Sequence, residues 1–261
     1  MLNKDELILD KIRSLTLSDY ETGKDIICRL TQLEDPTLTC TSEADEVTDA
    51  QGAPISRLYK NKQAKFSATN PLISLNLAAA QYGTTKQVAD NKSQIIVPTY
   101  DLLDIDNGKV KLKNKPADIS KVTKIYVVEK GQLGKAYTAG SAASATEFLI
   151  AEDGTITVPT MVTSGKVYVE YEYSSENAMK IVNKASEFPS TVRTRIYCYF
   201  RDKCDDNKLY SGIIVANRSK LNPESIELAL TSTGKHSFEI NMLKDYCDEE
   251  NDELFTIIVA E

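Results

Sequence analysis

The residues able to do chemistry are few and scattered. There is one histidine, His236 in "TGKHSFEI", so any histidine-based triad or multi-histidine metal site is limited to that position. It follows Gly234 at the start of an alternating run and reads as a solvated turn histidine. "RDKCDDN" gathers Asp202, Cys204, Asp205 and Asp206 as a calcium loop would. An EF-hand needs Gly at the sixth position and Glu at the twelfth. Those places hold Asn207 and Ile213, so the segment reads as a polar turn between strands. The five cysteines (Cys28, Cys40, Cys198, Cys204, Cys247) are odd in number, widely spaced and without a CxxC. That pattern argues against a zinc site and against a closed disulfide framework. Cys28 in "DIICRL" and Cys198 in "RIYCYF" read instead as small core hydrophobes. "DYCDEENDE", from Asp245 to Glu253, reads as a solvated acidic loop. No Gly-rich phosphate loop, GxSxG elbow or HExxH occurs. The expectation is a protein with no catalytic, cofactor-binding or metal-binding residue.

The elements that would position any site are mostly strands. A chain of 261 residues can bury a full core as one large domain or two ordinary ones. With 13 Tyr and no Trp, plus many Thr and Val, its composition leans toward strand. The net charge is -7 and no stretch concentrates Lys and Arg, which disfavours a tight nucleic-acid binder. "MLNKDELILDKIRSL" has acids among its apolar residues, unlike a signal peptide, and no apolar run approaches the ~18 residues of a membrane span. The reading is a soluble protein made in a cytoplasm.

Residues 3–15 read as a helix capped by Asn3, with Ile8, Ile12 and Leu15 on one face. In "DIICRL", Ile26, Cys28 and Leu30 share one side of a strand. Residues 31–51 read as a long polar loop, or alternatively a hairpin, ending in a turn at Gln51–Gly52. "NPLISLNLAAAQYG" reads as a packing helix capped by Asn70 and closed by Gly83, with Leu72, Leu75, Leu77 and Tyr82 among its contact residues. From about residue 93 to 175, short strands separated by turns such as Asn107–Gly108 and Asp153–Gly154 indicate a small β-sandwich. Within it "AYTAGSAASATEF" reads as a flexible loop, and Val167, Val169, Tyr171 and Tyr173 face away from Tyr168, Glu170 and Glu172. "ENAMKIVNKASEF" fits a helix in part. In "TVRTRIYCYF", Thr194, Ile196, Cys198 and Phe200 face a core, with Arg193, Arg195, Tyr197 and Tyr199 outward.

Several of these stretches resemble bacteriophage tail tube (major tail) proteins. They are the acidic "EADEVTDAQGAPISRLYKNKQAKFSATN", the Ala-rich helix ending "QYG", and the later "DNKLYSGIIV" and "GKHSFE" strands. The resemblance covers roughly residues 16–90 and 176–261. It implies a mainly β, tail-tube-type barrel or sandwich with a flanking helix. The discontinuous domain would span 1–92 plus 176–261, and 93–175 would be an inserted Ig-like β-sandwich. It also implies a virion protein that stacks hexameric rings into a genome-conducting tube. Its partners would be copies of itself, sheath, tail-completion and baseplate proteins, and DNA passing non-specifically through the lumen, with no membrane partner. The contacts between rings are expected from residues 31–58, with Asp35, Pro36, Glu43, Asp45, Asp49, Gly52, Arg57 and Tyr59 as candidates. A capsid decoration or head/neck protein is the alternative among virion proteins. A surface adhesin or carbohydrate-binding module is the alternative from another class, and it would need exposed aromatic platforms.

Overall fold

The computed structural model describes residues 6–205, 207–224, 226–230, 234–246 and 252–260. It is mainly β and divides into two compact units, Met1–Lys86 with Ile181–Glu261, and Gln87–Lys180.

The first unit opens with β1 (Leu7–Asp19), β2 (Ile26–Leu30), β3 (Glu34–Thr48) and β4 (Pro54–Asn70), followed by α1 (Leu75–Tyr82). The second holds β5 (Gln87–Val88), β6 (Ile95–Asp104), β7 (Lys109–Lys111), β8 (Lys124–Glu129), β9 (Gln132–Ala139), β10 (Glu147–Ile150), β11 (Thr155–Thr157), β12 (Lys166–Ser175) and β13 (Met179–Lys180). The chain then returns to the first unit with β14 (Thr191–Asp202), β15 (Leu209–Leu221), β16 (Glu227–Leu228), β17 (His236–Met242) and β18 (Thr256–Ala260).

In the first unit one sheet runs β2-β1-β14-β15-β17-β4-β3 and curls toward a barrel, with β16 added to β17 and β18 to β15. Its interior is built from Leu15, Leu17, Cys28, Phe66, Ile196, Phe238 and Ile240, all buried, with Leu77 of α1 closing one side. Alternation in β14 is as the sequence indicates from Thr194 to Cys198, with Thr194, Ile196 and Cys198 buried and Tyr197 exposed, while Phe200, expected inward, is only half-buried. Burial pushes the Cys28 and Cys198 thiols above their ordinary range, so both are unreactive packing groups.

The expected N-terminal helix is a strand. β1 pairs antiparallel with β14 from Leu7 to Asp19, with register shifts between Leu9 and Lys11 and between Ile12 and Ser14. Asn3, the expected cap, lies outside the described residues. Ile26 is exposed rather than grouped with Cys28 and Leu30. A shift in the β1–β2 pairing sets it opposite Ser18, on the other face from Leu17. Residues 34–48 are the first strand of a hairpin, the alternative reading, rather than a loop, and 179–188 hold only the short β13 and irregular chain, with no helix.

Helix α1 begins one turn later than expected. Ser74 is the cap, its hydroxyl accepting the Leu77 N–H at 3.3 Å, while Asn70 ends β4. Leu72 and Leu75 are consequently exposed and do not pack, whereas Leu77, Ala78, Ala79 and Gln81 are buried. Tyr82 is half-buried.

His236 is not a solvated turn residue: it is fully buried, at 0% exposure, as the first residue of β17. Its Nε2–H donates to Gln81 Oε1 at 2.5 Å, and Gln81 Nε2 donates to the Ser237 carbonyl at 3.4 Å, fastening α1 to the sheet. Among the described residues nothing bonds Nδ1, and burial lowers the His236 pKa below the ordinary 6.5. The unfolded chain therefore takes up this proton first, so stability is full above 6.5 and is lost as pH falls from there toward the folded pKa. The slope in that window is at most about 1.4 kcal/mol per pH unit. Urea unfolding of His236→Gln across the same range should show a flatter pH dependence than the native chain.

In the second unit the sheet runs β6-β12-β8-β9-β10-β11-β7 around one core, and its first and last strands are consecutive in the chain. Ile125, Phe148, Ile156, Val158, Val167, Val169 and Tyr171 fill it. The turn glycines sit where a positive φ is needed: Asn107–Gly108 and Lys130–Gly131 both have φ near +50° then +74° to +80°. Of the expected loop "AYTAGSAASATEF", 140–146 are irregular chain as read, but 136–139 end strand β9, which pairs in parallel with β10 at Glu147 and Phe148. Asp101 is buried and satisfied, accepting from the Tyr171 hydroxyl at 2.9 Å and the Lys113 N–H at 2.8 Å.

Candidate functional site

The expected contact residues gather on one element. β3 and β4 form an antiparallel hairpin whose base, Ala64 to Asn70, pairs with β17. Beyond Ala64 the two strands pair only with each other among the described residues. From Thr41 to Gln63 every described position is exposed. A chain segment with no buried face has no reason to alternate, which is why these residues read as polar loop. A two-stranded ribbon of this kind is marginal by itself and presents both edges unpaired.

The candidates divide along it. Asp35 and Pro36 lie at the base, in a register shift between Glu34 and Thr37, with Asp35 at φ 50°. That bulge and proline blunt the edge strand near the body. Asp49 and Gly52 form the tip: Asp49 Oδ1 accepts from the Gln51 and Ala53 N–H groups at 2.9 and 2.8 Å, and Gly52 has φ 85°. Between them, Lys60 Nζ reaches Asp45 at 2.6 Å, Asn61 Nδ2 reaches Glu43 at 2.8 Å, and Arg57 pairs with Glu46. These exposed pairs contribute at most about 1 kcal/mol each, so they hold register more than they stabilise.

Beyond the candidate Tyr59, what the sequence reading missed is the apolar content of the ribbon. Tyr59 is 71% exposed, Ile55 67%, Leu58 59% and Val47 43%. Cross-strand register places Tyr59 opposite Ala44 and Arg57 opposite Glu46 on one face, with Leu58 opposite Asp45 and Val47 opposite Ser56 on the other. Both faces therefore offer apolar groups framed by ion pairs, the composition of a contact surface. The signal was present in the β-branched alternation of "TLTCT" and in "PISRLY".

Further open edges exist in the same unit. β1 pairs with β2 only through Leu15–Ser18, leaving Leu7–Ser14 without a neighbour on that side among the described residues. β18 pairs only with β15, and its Ile257 and Ile258 are half exposed.

The acid- and cysteine-bearing segments singled out in the sequence lie apart from one another among the described residues. Asp202, Cys204 and Asp205 lie at the β14–β15 turn, where Asp202 accepts from the Cys204 N–H and the Tyr210 hydroxyl. Asp206 and most of the 245–253 run lie outside the described residues. Among the described residues no three His, Cys, Asp or Glu side chains come together as a metal site, and no helix is long and apolar enough to cross a membrane. A model of the YomU/Tube protein family matches residues 7–257. Comparison with curated proteins finds no match.

Proposed function

The chain belongs to the YomU/Tube protein family, a family of phage tail tube proteins, and we propose on that premise that it self-assembles into stacked hexameric rings forming the tail tube. The tube conducts the genome, the protein does no catalysis, and it ends in the virion tail alongside tail-completion, baseplate and sheath proteins. The observation that carries this reading is the ribbon from Thr41 to Gln63, which exposes apolar residues on both faces and pairs with no other strand among the described residues. A surface of that kind is stabilised by a neighbouring copy. The open edges of β1 and β18 support lateral pairing between copies by strand addition.

The acidic balance of the chain, net charge -7, suits a lumen past which phosphates slide without binding. Negative-stain electron microscopy of the purified protein tests the reading. Hollow tubes or stacked six-fold rings are the expected result. Dispersed monomers or closed trimers at high concentration would instead favour a head-decoration role.

A further inference from the structure

The solvent face of the second unit's sheet carries a tyrosine cluster that its core does not use. Tyr126 of β8 is the register partner of Tyr168 in β12, and Tyr100 of β6 stands diagonally across from Tyr168, beside Glu170. The rings touch: Tyr100 stacks on Tyr168 with centroids 5.4 Å apart, and Tyr126 meets Tyr168 edge-on at 6.4 Å. The result is a diagonal row of three rings across three strands. Its outermost member, Tyr100, is 62% exposed.

Beside this row the sheet splits. β12 pairs with β8 only through Lys166–Tyr168, and past that point the Glu172 carbonyl is bonded instead by the Ala117 N–H at 2.8 Å. The divergence opens a cleft of about 700 Å³, with Glu170 and Glu172 on one side and Lys121 and Lys124 on the other. Tyr100 and Tyr126 also line it.

The lining selects a ligand class. Two carboxylates face two ammonium groups, and Lys121 reaches Glu172 at 3.5 Å, so the cleft is close to neutral and would favour neither a polyanion nor a polycation. Its walls are too polar for an apolar helix. It is concave and of small-ligand size rather than the broad flat area a protein partner needs. A sugar ring meets these conditions: its C–H face packs on an aromatic ring, while its hydroxyls both donate to carboxylates and accept from ammonium groups. We propose that this cleft binds a neutral oligosaccharide of gluco-configured pyranoses, one ring stacked on Tyr100 and its neighbours hydrogen-bonded by Glu170, Glu172, Lys121 and Lys124. The second unit would then give the particle a glycan-binding activity independent of tube formation.

Calorimetric titration of the full-length protein with chitotetraose and with cellotetraose tests this. Saturable binding to at least one of them at millimolar concentration or below is expected. Tyr100→Ala and Glu172→Gln should each weaken it about tenfold or more, while Tyr100→Phe, which keeps the ring face, should retain it. Tyr246→Ala, at an exposed tyrosine of the first unit, should leave it unchanged. Because the Tyr100 ring is exposed, its variants should keep the native circular dichroism and melting midpoint. No binding of either sugar, or equal binding by Tyr100→Ala, overturns the proposal. So does a Tyr100→Ala variant whose only change is in self-association, which would assign the cleft to a second copy.

Discussion

Replacing residues 42–62 by an Asn-Gly turn should give a folded protein that forms no tubes. Thr41 and Gln63 are register partners, so a two-residue type I′ turn closes the shortened hairpin without altering the strands below it. The fold should survive because the β4 residues of the core, Ala64, Phe66 and Ala68, all lie on the body side of the cut. What is removed is the exposed apolar set of Val47, Ile55, Leu58 and Tyr59. If these are buried by a neighbouring copy, each contributes about 1.5–3 kcal/mol to the contact. That contribution recurs at every subunit, so its loss should abolish polymerisation rather than shorten the tubes. Sedimentation velocity and micrographs of the truncated protein provide the check. Tubes of normal length from the truncated chain would remove the ribbon from the assembly contact. A single Tyr59→Ser change should give a weaker version, raising the concentration needed for assembly.

The parts of the fold legible in the sequence are those where one face of a strand is dry and its register unbroken. β12 pairs with β6 without a shift and alternates over its length, and β14 alternates from Thr194 to Cys198, past its shift against β15, so Val167, Val169, Ile196 and Cys198 are buried where alternation puts them. β1 fails that test for a specific reason. Its two register shifts interrupt the period of two, so Ile12 and Leu15 pack against one core although they are three residues apart. A bulged strand thus imitates helical spacing, and the acids near the start complete the imitation. The ribbon was legible only as one of two readings, loop or hairpin: its turn at Gln51–Gly52 could be placed, but with both faces wet there is no buried set to reveal a period. His236 shares the buried phase of Phe238, Ile240 and Met242 in β17, and its misreading comes from giving the glycine turn before it more weight than that alternation; its bond to Gln81, 155 residues away, has no local signal. The tyrosine row was invisible likewise, since Tyr100, Tyr126 and Tyr168 converge only through pairing of β6, β12 and β8. Together they supply the exposed aromatic platform that a carbohydrate-binding module would need.

Gly83 was read as a helix terminator, and the structure gives it a second role that sets the size of its substitution cost. As the residue after α1 it has φ 70°, and its N–H reaches the Ala80 carbonyl at 3.3 Å while the Thr84 N–H takes that of Ala79 at 2.9 Å. A Cβ built there would stand 2.1 Å from the Phe188 carbonyl oxygen and 2.4 Å from its carbon. Those are backbone atoms and cannot swing aside as a side chain would. Gly83→Ala therefore adds a left-handed backbone cost of about 1–2 kcal/mol to an overpacking cost of about 1–3 kcal/mol. The expected loss is about 3 kcal/mol, or a melting midpoint lower by roughly 6–12 °C for a unit of this size. Gly83→Asn separates the two causes. Asparagine tolerates positive φ, so at an ordinary helix end it should rescue most of the loss, whereas here its Cβ meets the same carbonyl and it should rescue little. Gly52, with φ 85° and nothing within 4 Å of the Cβ position, is the internal comparison. Gly52→Asn should change the midpoint by no more than about 1–2 °C, because only the backbone term acts there and asparagine largely meets it. If Gly83→Asn proved as mild as Gly52→Asn, the close approach of residue 188 to the helix end would be wrong.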